Sequence, residues 1–415
     1  MPRLSSRRPQ QTRTKKSDGG IFLSNILCVA LFLLASLRDV DISTFRRTLS
    51  HEKRELQAEE DNNKPPPLFN ATKCSARQLQ TLRDRFYPPQ MKQPQHELGF
   101  WRRFKTPLML QTKCPEQPWL EQYFATTTQR RKESSSSSYL GINVGCNKGL
   151  DAVAMARMLS RDSRLDIGSW QQALGSVSEA VCGVPVSVEI PPNATAAASS
   201  GTIHCIEPMP ATVTSLQNAL RTTGYTDAIV IKHAVISNTS GIMADFPNAT
   251  SGTENLALSN CQDGKYNEEI DCIKVPMYSL NEYMKEVEIG DGAQSTTDDN
   301  QPPIDMMLID TEGFDWEVLQ GAQETLRRTR YLTFEVHMNG NWPVHSLVDA
   351  IETTLSDFVC YWTGRNQLHR ITNCMNEELK AIYEYKSWSN IACAHKTEIE
   401  LAQIMENLFQ RNTPE

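Results

Sequence analysis

The chain has 415 residues, which allows one large domain or two, and its charged and apolar fractions, 22% and 39%, are those of a globular protein. Its net charge of −7 is unevenly spread, because the first 20 residues carry six basic side chains against one acid. That leader has a charge of +5 and leaves −12 for the rest of the chain. An acidic body argues against nucleic acid as a main partner.

Residues 21–37 are an uncharged apolar run of 17 residues, near the lower limit for crossing a bilayer. The basic leader before this run predicts a cytoplasmic N-terminus and places everything after Arg38 on the far side. We therefore expect a cytoplasmic leader (1–20), a transmembrane signal-anchor (21–37) and a type II single-pass protein with its body in the Golgi or ER lumen. A cleaved signal peptide, which gives a secreted protein, and a mitochondrial leader are the alternatives.

Two further counts indicate a lumenal body. Ten of the eleven cysteines follow the apolar run, enough for several disulfides in an oxidising compartment, although the sequence does not show which ones pair. None of them has zinc-type spacing, which excludes a structural zinc cluster. Four sequons of the Asn-x-Ser/Thr type predict N-glycosylation in surface loops, at Asn70, Asn193, Asn238 and Asn248.

The segment after the apolar run divides at residue 70. Residues 38–70 are charged and contain three consecutive prolines, Pro65 to Pro67, which predicts a disordered stem. Residues 71–138 contain enough aromatic side chains to pack, among them Trp101 and Trp119. We expect this segment to be an N-terminal extension packed on the core, helical near residues 75–87, with the serine run 134–138 as a flexible joint.

From Tyr139 onwards, predicted strands and helices alternate, as in a doubly wound α/β fold with a mostly parallel sheet. This domain spans residues 139–409, with polar insertions at 161–201 and 247–303, the first of which reads as a surface loop with little regular structure. After the first strand, the predicted strands cover residues 202–207, 228–234, 304–310, 331–337, 358–363 and 390–394. A turn and another short strand are expected within residues 237–246.

The first predicted strand, which begins at Tyr139, leads into a turn bracketed by Gly145 and Gly149 and then into a helix. The start of this helix presents free amide groups to a ligand. The turn lacks the G-x-G-x-x-G and Walker spacings, which disfavours nicotinamide and nucleoside triphosphate chemistry. Glu207 ends the next strand, where a carboxylate can accept from both hydroxyls of a ribose. Ligands of such sheets bind at the carboxyl ends of the strands.

Five motifs in this order resemble the FkbM family of S-adenosylmethionine-dependent methyltransferases: GINVGCNKG, IHCIEPMPATVTSL, HAVISNTSGIMADF, IDMMLIDTEGFDWEVLQGA and YLTFEVH. The resemblance covers roughly residues 139–396. It implies a Rossmann-like class I methyltransferase sheet and methyl transfer to a hydroxyl of a sugar or natural product. One departure stands out, since the family's first motif usually begins with Asp where this chain has Asn143.

Carried over to this chain, the resemblance implies two groups of site residues. The cofactor side comprises Asn143, Gly145, Asn147, Gly149 and Glu207. The acceptor side comprises Asp310, Glu312, Glu335 and His337.

An alcohol is a weak nucleophile and gains from a base that accepts its proton. His337 suits this role by its ordinary pKa, with Asp310 and Glu335 as the other candidate catalytic residues. Asp310, Glu312, Glu335 and His337 together would also suit a hard divalent cation.

The sequence thus predicts an O-methyltransferase that uses S-adenosylmethionine and acts on a glycan or another lumenal hydroxyl acceptor. One alternative is a type II membrane glycosyltransferase, which shares the anchor but would need a nucleotide-sugar site. The other is a non-catalytic glycoprotein that retains the fold.

Overall fold

The computed structural model describes residues 67–86, 117–124, 138–175, 200–250, 258–261, 271–290, 301–337, 344–364, 367–377, 379 and 388–412. The chain divides into Met1–Pro66 and Pro67–Glu415, and all described residues belong to the second unit. Among them no helix is both long and apolar enough to cross a membrane. The predicted leader and anchor (1–37), most of the predicted stem and Asn193 lie outside the described residues.

Eleven strands are described from Tyr139 onwards. They are β1 (Tyr139–Val144), β2 (Gly201–Glu207), β3 (Ile229–His233), β4 (Val235–Ser237), β5 (Ile242–Pro247), β6 (Cys272–Ser279), β7 (Met306–Ile309), β8 (Tyr331–His337), β9 (Phe358–Gly364), β10 (Gln367–Arg370) and β11 (Trp388–His395).

Eight of the strands form one sheet in the order β10-β9-β11-β8-β7-β1-β2-β3. The five strands from β8 to β3 are parallel, and β11, β9 and β10 are joined to them through antiparallel pairs. The predicted α/β fold with a mostly parallel central sheet is therefore confirmed. The central strand β7 is buried at every position, as expected for a short apolar strand covered on both faces.

Strand order reverses between β1 and β7. From β1 the chain builds outward through β2 to β3, and it later returns to the other side of β1 with β7 and β8. The carboxyl ends of β1 and β7 therefore flank a topological switch point, the position at which open α/β sheets bind ligands.

The described part of the chain includes nine α-helices whose ends are defined. They are α1 (Ala76–Phe86), α2 (Leu150–Ser160), α3 (Ile167–Ala173), α4 (Pro210–Thr223), α5 (Leu280–Gly290), α6 (Asp315–Gln320), α7 (Gln323–Arg327), α8 (Val344–Thr353) and α9 (Ile399–Asn412).

Helix α3 corrects the expectation that residues 161–201 begin as an irregular loop. Asp166 precedes the helix, and its carboxylate accepts from the Ser169 N–H at 2.6 Å, which caps the N-terminus. The helix buries Trp170 completely and Ile167 almost completely. A local cap and two buried apolar side chains are sufficient to order this short segment.

A second sheet of three strands, in the order β4-β6-β5, lies within the region predicted to be strand and polar insertion. It has its own apolar cluster, with Met209, Val235, Phe246 and Val275 among its members. A short 3₁₀ helix, Leu258–Cys261, adds Leu258 to this cluster and is tied to β6 by the disulfide Cys261–Cys272. The insertion at 247–303 therefore contains β6 and α5 as well as polar segments.

The segment before Tyr139 contacts the domain at several points. The disulfide Cys74–Cys374 joins chain positions 300 residues apart. Residues 118–124 are helical, and the Trp119 indole N–H donates to the Tyr331 hydroxyl at 3.2 Å. Packing begins earlier than the predicted stem boundary at residue 70, because the Phe69 N–H donates to the Lys396 carbonyl at 2.8 Å.

Arg370 anchors the start of this segment from inside the core. Its guanidinium is 1% exposed and donates to the Glu406 carboxylate and to the Thr72 carbonyl, both at 2.6 Å. Glu406 is also buried and accepts from the Tyr361 hydroxyl at 2.8 Å. This buried ion pair thus links β10, α9 and the chain just before α1.

We expect Arg370→Met to lower the free energy of unfolding by about 3–5 kcal/mol, because it leaves the buried Glu406 carboxylate without its cation. The double variant Arg370→Met/Glu406→Leu should recover much of that loss, since it removes both charges. Urea denaturation measures both values. A double variant as unstable as Arg370→Met alone would show that the unpaired carboxylate is not the cause. Lys274→Met, at an exposed pair with Asp245, is the control.

Candidate active site

A cleft opens at the carboxyl ends of β1, β2 and β7, next to the switch point. Its polar lining comes from the turn after β1, from the end of β2 and from the loop after β7: Asn147, Glu207, Asp310, Thr311 and Glu312. The opposite wall is apolar and includes Ile206, Met209, Val235, Ile236, Phe246, Leu258 and Phe314. Such a pairing of a polar edge with an apolar wall is typical of small-molecule sites.

Gly145 sets the distance between the first turn and the acidic loop. It has a φ of 74°, and a Cβ atom built on it would lie 1.7 Å from the Asp310 carbonyl oxygen. No side chain fits at that distance. The Asp310 N–H also donates to the Val144 carbonyl at 2.9 Å, so the turn and the loop are in direct contact.

Trp170 supports the same turn from behind. Its indole N–H donates to the Lys148 carbonyl at 2.8 Å, and a Cβ atom on Gly149 would lie 3.0 Å from its ring. Asn147, at the tip of the turn, has a φ of 47°, a left-handed conformation that asparagine tolerates better than most residues. The turn is therefore held from inside the domain and presents Asn147 to the cleft.

Glu207 connects the turn to the second strand. One carboxylate oxygen accepts from the Asn147 N–H at 2.8 Å and the other from the Met209 N–H at 2.9 Å. Each oxygen retains a further lone pair for a ligand hydroxyl. Burial, and to a smaller degree the charge of Asp310, raise the pKa of Glu207 to about 7, although the two backbone hydrogen bonds lower it.

The disulfide Cys146–Cys205 fixes this arrangement covalently. Cys146 lies in the turn after β1, and Cys205 lies on β2, two residues before Glu207. The backbone N–H groups of Gly145 and Cys146 both donate to the Ile206 carbonyl, at 3.0 and 3.1 Å. The turn cannot move away from β2 without breaking these links.

Acidic side chains cluster on the other side of the cleft. Carboxylate oxygens of Asp310, Glu312 and Glu335 lie within 4.8 Å of one another. Burial and the charge of Asp310 raise the pKa of Glu312 to about 7. Burial, and then the charges of Asp310, Asp315 and Glu312, hold the pKa of Glu335 far above its ordinary value.

Asp315 is a fourth acid in this region and is fully buried at the start of α6. Its carboxylate accepts from the Gly313 N–H at 3.3 Å. Burial, followed by the charge of Asp310, raises its pKa well above the ordinary value. Glu312, two residues after Asp310, has a φ of 54°, an unfavourable backbone conformation for glutamate that occurs here at the edge of the cleft.

The structure brings together Gly145, Asn147, Glu207, Asp310 and Glu312 in the lining of the cleft. Two residues of the predicted cofactor side do not line it. Asn143 is 3% exposed and lies inside the sheet, with Cys205 and Leu308 as its neighbours on β2 and β7. Because side chains alternate along a strand, Asn143 faces away from the side of the sheet on which Val144 lines the cleft. The second residue is Gly149, which packs against Trp170.

Glu335 and His337 lie two residues apart on β8, opposite Asn390 and Trp388 of β11. Glu335 is 4% exposed, and the side chain of His337 lies outside the described residues. Asn70, Asn238 and Asn248 are exposed, and the Asn238 side chain donates to that of Gln320 at 3.0 Å.

Several residues of the site do not emerge from the sequence analysis. They are Trp170 behind the turn, the disulfide partners of the turn, the buried Asp315 and the apolar wall contributed by Phe246 and Leu258. The cap residue Asp166 directly before Ile167 is a local signal that predicts α3, and with it the position of Trp170. The other features depend on contacts between distant parts of the chain.

Comparison with known families gives one match. Residues 182–360 match the model of the methyltransferase FkbM domain. This confirms the family resemblance over a narrower range than residues 139–396. The matched range includes Glu207 and the four acids Asp310, Glu312, Asp315 and Glu335, and it begins after β1 and its glycine turn.

The solved structures that match the chain include several methyltransferases. The human methyltransferase 10 domain containing protein is 7% identical, with 68% of this chain and 84% of that chain covered and a TM-score of 0.28. A putative rRNA-methylase from Clostridium thermocellum is 8% identical, with 65% and 94% covered and a TM-score of 0.27. The N-terminal domain of human METTL16 in complex with SAH is 8% identical, with 68% and 71% covered and a TM-score of 0.27.

These identities and TM-scores are too low to support an argument about function. No curated protein matches the chain.

Glu207 predicts a pH dependence of stability. Its carboxyl ionises at its ordinary pKa of 4.5 in the unfolded chain and at about 7 in the folded protein. Between these values the folded state binds more protons, so its contribution to stability is complete below pH 4.5 and is lost as the pH rises through 7. We expect Glu207→Gln to remove a decline on the order of a few kcal/mol between about pH 5 and pH 8.

Urea denaturation at the two pH values measures this decline. Other buried acids contribute to the total, so the comparison is between variant and parent. Glu352→Gln, at an exposed acid on α8, should leave the decline unchanged. An equal decline in Glu207→Gln and in the parent protein would contradict the assignment.

Proposed function

We propose that the protein is an S-adenosylmethionine-dependent O-methyltransferase whose acceptor is a hydroxyl of a glycan or another small lumenal molecule. The match of residues 182–360 to the model of the methyltransferase FkbM domain supports this proposal. The observation that carries this proposal is the junction of Glu207 with the first turn. Its carboxylate accepts from the Asn147 N–H in a cleft at the switch point of the sheet. Ribose recognition at the end of the second strand of an α/β sheet uses this position.

The residues of the cleft suit the parts of this cofactor. Gly145 and Asn147 bring backbone close to the ligand, and Glu207 retains lone pairs for the two ribose hydroxyls. The apolar wall, with Met209, Phe246 and others, offers a surface for the adenine ring. The acidic side chains at the cleft favour a cationic sulfonium over an anionic ligand such as a nucleotide phosphate.

When bound, the cofactor supplies a methyl group on a sulfonium, an electrophile that an oxygen atom can attack in line. The residues of the chain then have two tasks, which are to position the acceptor oxygen and to accept its proton. Asp310 is exposed at the cleft, and Glu335 lies behind it at hydrogen-bonding distance. His337, two residues further along β8, remains our first candidate for the base, with Asp310 and Glu335 next.

Calorimetric titration of the purified protein with S-adenosylmethionine and with nucleotide sugars tests the proposal. We expect one methyl donor to bind per chain and nucleotide sugars not to bind. Glu207→Ala should weaken binding of the methyl donor roughly 10-fold or more, because it removes a charged hydrogen-bond acceptor. His337→Ala should leave that binding unchanged and slow transfer of a tritium-labelled methyl group to a panel of sugars and released glycans by about 100-fold or more.

Asp310→Asn serves as the comparison for the base, and Glu352→Ala as the matched control for binding. Normal turnover in His337→Ala together with slow turnover in Asp310→Asn would move the base assignment to Asp310. Tight binding of a nucleotide sugar without binding of the methyl donor would overturn the proposal in favour of a glycosyltransferase. Cofactor binding without transfer to any member of the panel would favour a non-catalytic role.

The proposal extends to topology, with residues 21–37 as a signal-anchor in the membrane and the domain in the Golgi or ER lumen. Four disulfides support it: Cys74–Cys374, Cys146–Cys205, Cys261–Cys272 and Cys360–Cys393. Disulfides of this number are typical of proteins that fold in an oxidising compartment. The exposed positions of Asn70, Asn238 and Asn248 leave these asparagines accessible to glycosylation.

We expect the protein isolated from its native cells to gain electrophoretic mobility after treatment with an N-glycosidase. The triple variant Asn70→Gln/Asn238→Gln/Asn248→Gln should show a smaller shift, because glycans at these three sites would be lost. Enzyme-treated and untreated samples on the same gel provide the measurement. A native protein without any N-glycan would contradict the lumenal location.

A further inference from the structure

Three acids from two neighbouring strands converge at one point of the cleft. Asp310 and Glu312 follow β7, and Glu335 lies near the end of β8, which pairs with β7 in parallel. Their nearest carboxylate oxygens lie within 4.8 Å of one another. Asp310 is exposed, Glu312 is half-buried and Glu335 is buried, so the group reaches from the cleft into the core.

Glu335 has a buried oxygen without a partner. The residue is 4% exposed, and its Oε2 atom makes no hydrogen bond. The charges that act most strongly on it are those of three other acids, Asp310, Asp315 and Glu312. A buried carboxylate with an unpartnered oxygen and like charges around it is costly to ionise, and a cation at the cluster would offset that cost.

We propose that Asp310, Glu312 and Glu335 bind one divalent cation of the hard, oxygen-preferring class, such as Mg²⁺, Mn²⁺ or Ca²⁺. These ions are coordinated by carboxylate oxygens at about 2.0–2.6 Å, so two oxygens on opposite sides of one ion lie about 4–5 Å apart. The spacing of up to 4.8 Å in this cluster meets that requirement without rearrangement. Glu335 then coordinates the ion, and the like charges gain a common counter-ion.

The exposed side of the site suggests its use. Asp310 lies at the cleft, so coordination positions on this side remain open to water or to an acceptor hydroxyl. A hydroxyl bound there is more acidic and passes its proton more readily to a base, for which His337 is the first candidate because the other two candidates, Asp310 and Glu335, are ligands of the ion. Its oxygen then forms the new bond to the methyl carbon, and the electron pair of the breaking C–S bond stays on sulfur. This role rests on the proposed methyl transfer, whereas cation binding does not.

Metal titration of the full-length protein, freed of metal by a chelator and dialysis, tests the site. With each of Mg²⁺, Mn²⁺ and Ca²⁺ as probe, calorimetry should show binding of one ion per chain by at least one of them at concentrations up to roughly 1 mM. The same ion should raise the unfolding temperature of the protein. Glu335→Gln should weaken binding at least about 10-fold, the lower end of the loss seen when partners of metal ligands are removed.

Glu335→Gln should unfold at about the same temperature as the parent protein without metal, because the raised pKa of Glu335 keeps its carboxyl neutral and glutamine has nearly the same shape. Glu312→Gln, at a half-buried position, provides a second variant with the same expected loss of metal binding. Glu352→Gln should bind the ion as the parent protein does. Binding of S-adenosylmethionine, measured separately in the presence of chelator, reports on the proposed function independently of the metal.

Two results would overturn the inference. One is the absence of both binding heat and thermal shift with all three ions in the parent protein. The other is undiminished binding in Glu335→Gln and Glu312→Gln. The first would indicate that the acids share protons instead of a cation, and the second that the cation binds elsewhere on the protein.

Discussion

The contact between Gly145 and the Asp310 carbonyl is the constraint on which the cleft depends. With only 1.7 Å between a hypothetical Cβ atom and that oxygen, the first turn and the acidic loop can meet only through glycine. The hydrogen bond from the Asp310 N–H to the Val144 carbonyl fixes the same approach from the other side. Because β1 and β7 flank the switch point, this contact brings the proposed cofactor side and the proposed acceptor side of the cleft together.

The cleft contains several acidic side chains whose burial makes their ionised forms unfavourable. Two backbone N–H groups donate to the Glu207 carboxylate and reduce the free-energy cost of burying it. One oxygen of Glu335, in contrast, has no hydrogen-bond donor. A cationic sulfonium beside Glu207 and a divalent cation beside Glu335 would offset different parts of this charge. The two proposed ligands therefore do not compete for the same acids, and an acceptor oxygen placed between them would be close to both the methyl group and the cation.

The sequence predicted the parts of the site that depend on strand ends. Carboxyl ends of parallel strands share one edge of the sheet, so Gly145, Glu207 and Asp310 were expected to meet there, and they do. The resemblance assigns Asn143 to the cofactor side, whereas the alternation of side chains along β1 places it inside the sheet, out of the lining of the cleft. The apolar wall was not predicted, since Phe246 and Leu258 reach the cleft only through the small sheet and its disulfide.

The pairing of the cysteines likewise could not be predicted from the sequence. It relates the geometry of the site to the redox state of the compartment. Cys146 and Cys205 are 59 residues apart, so no local pattern pairs them. Their bond lies next to the turn, and it joins the two strands that present Asn147 and Glu207. A reducing compartment would remove this link and leave the turn held by hydrogen bonds alone. The disulfide that holds the turn against β2 thus supports the proposal that the protein functions in an oxidising lumen.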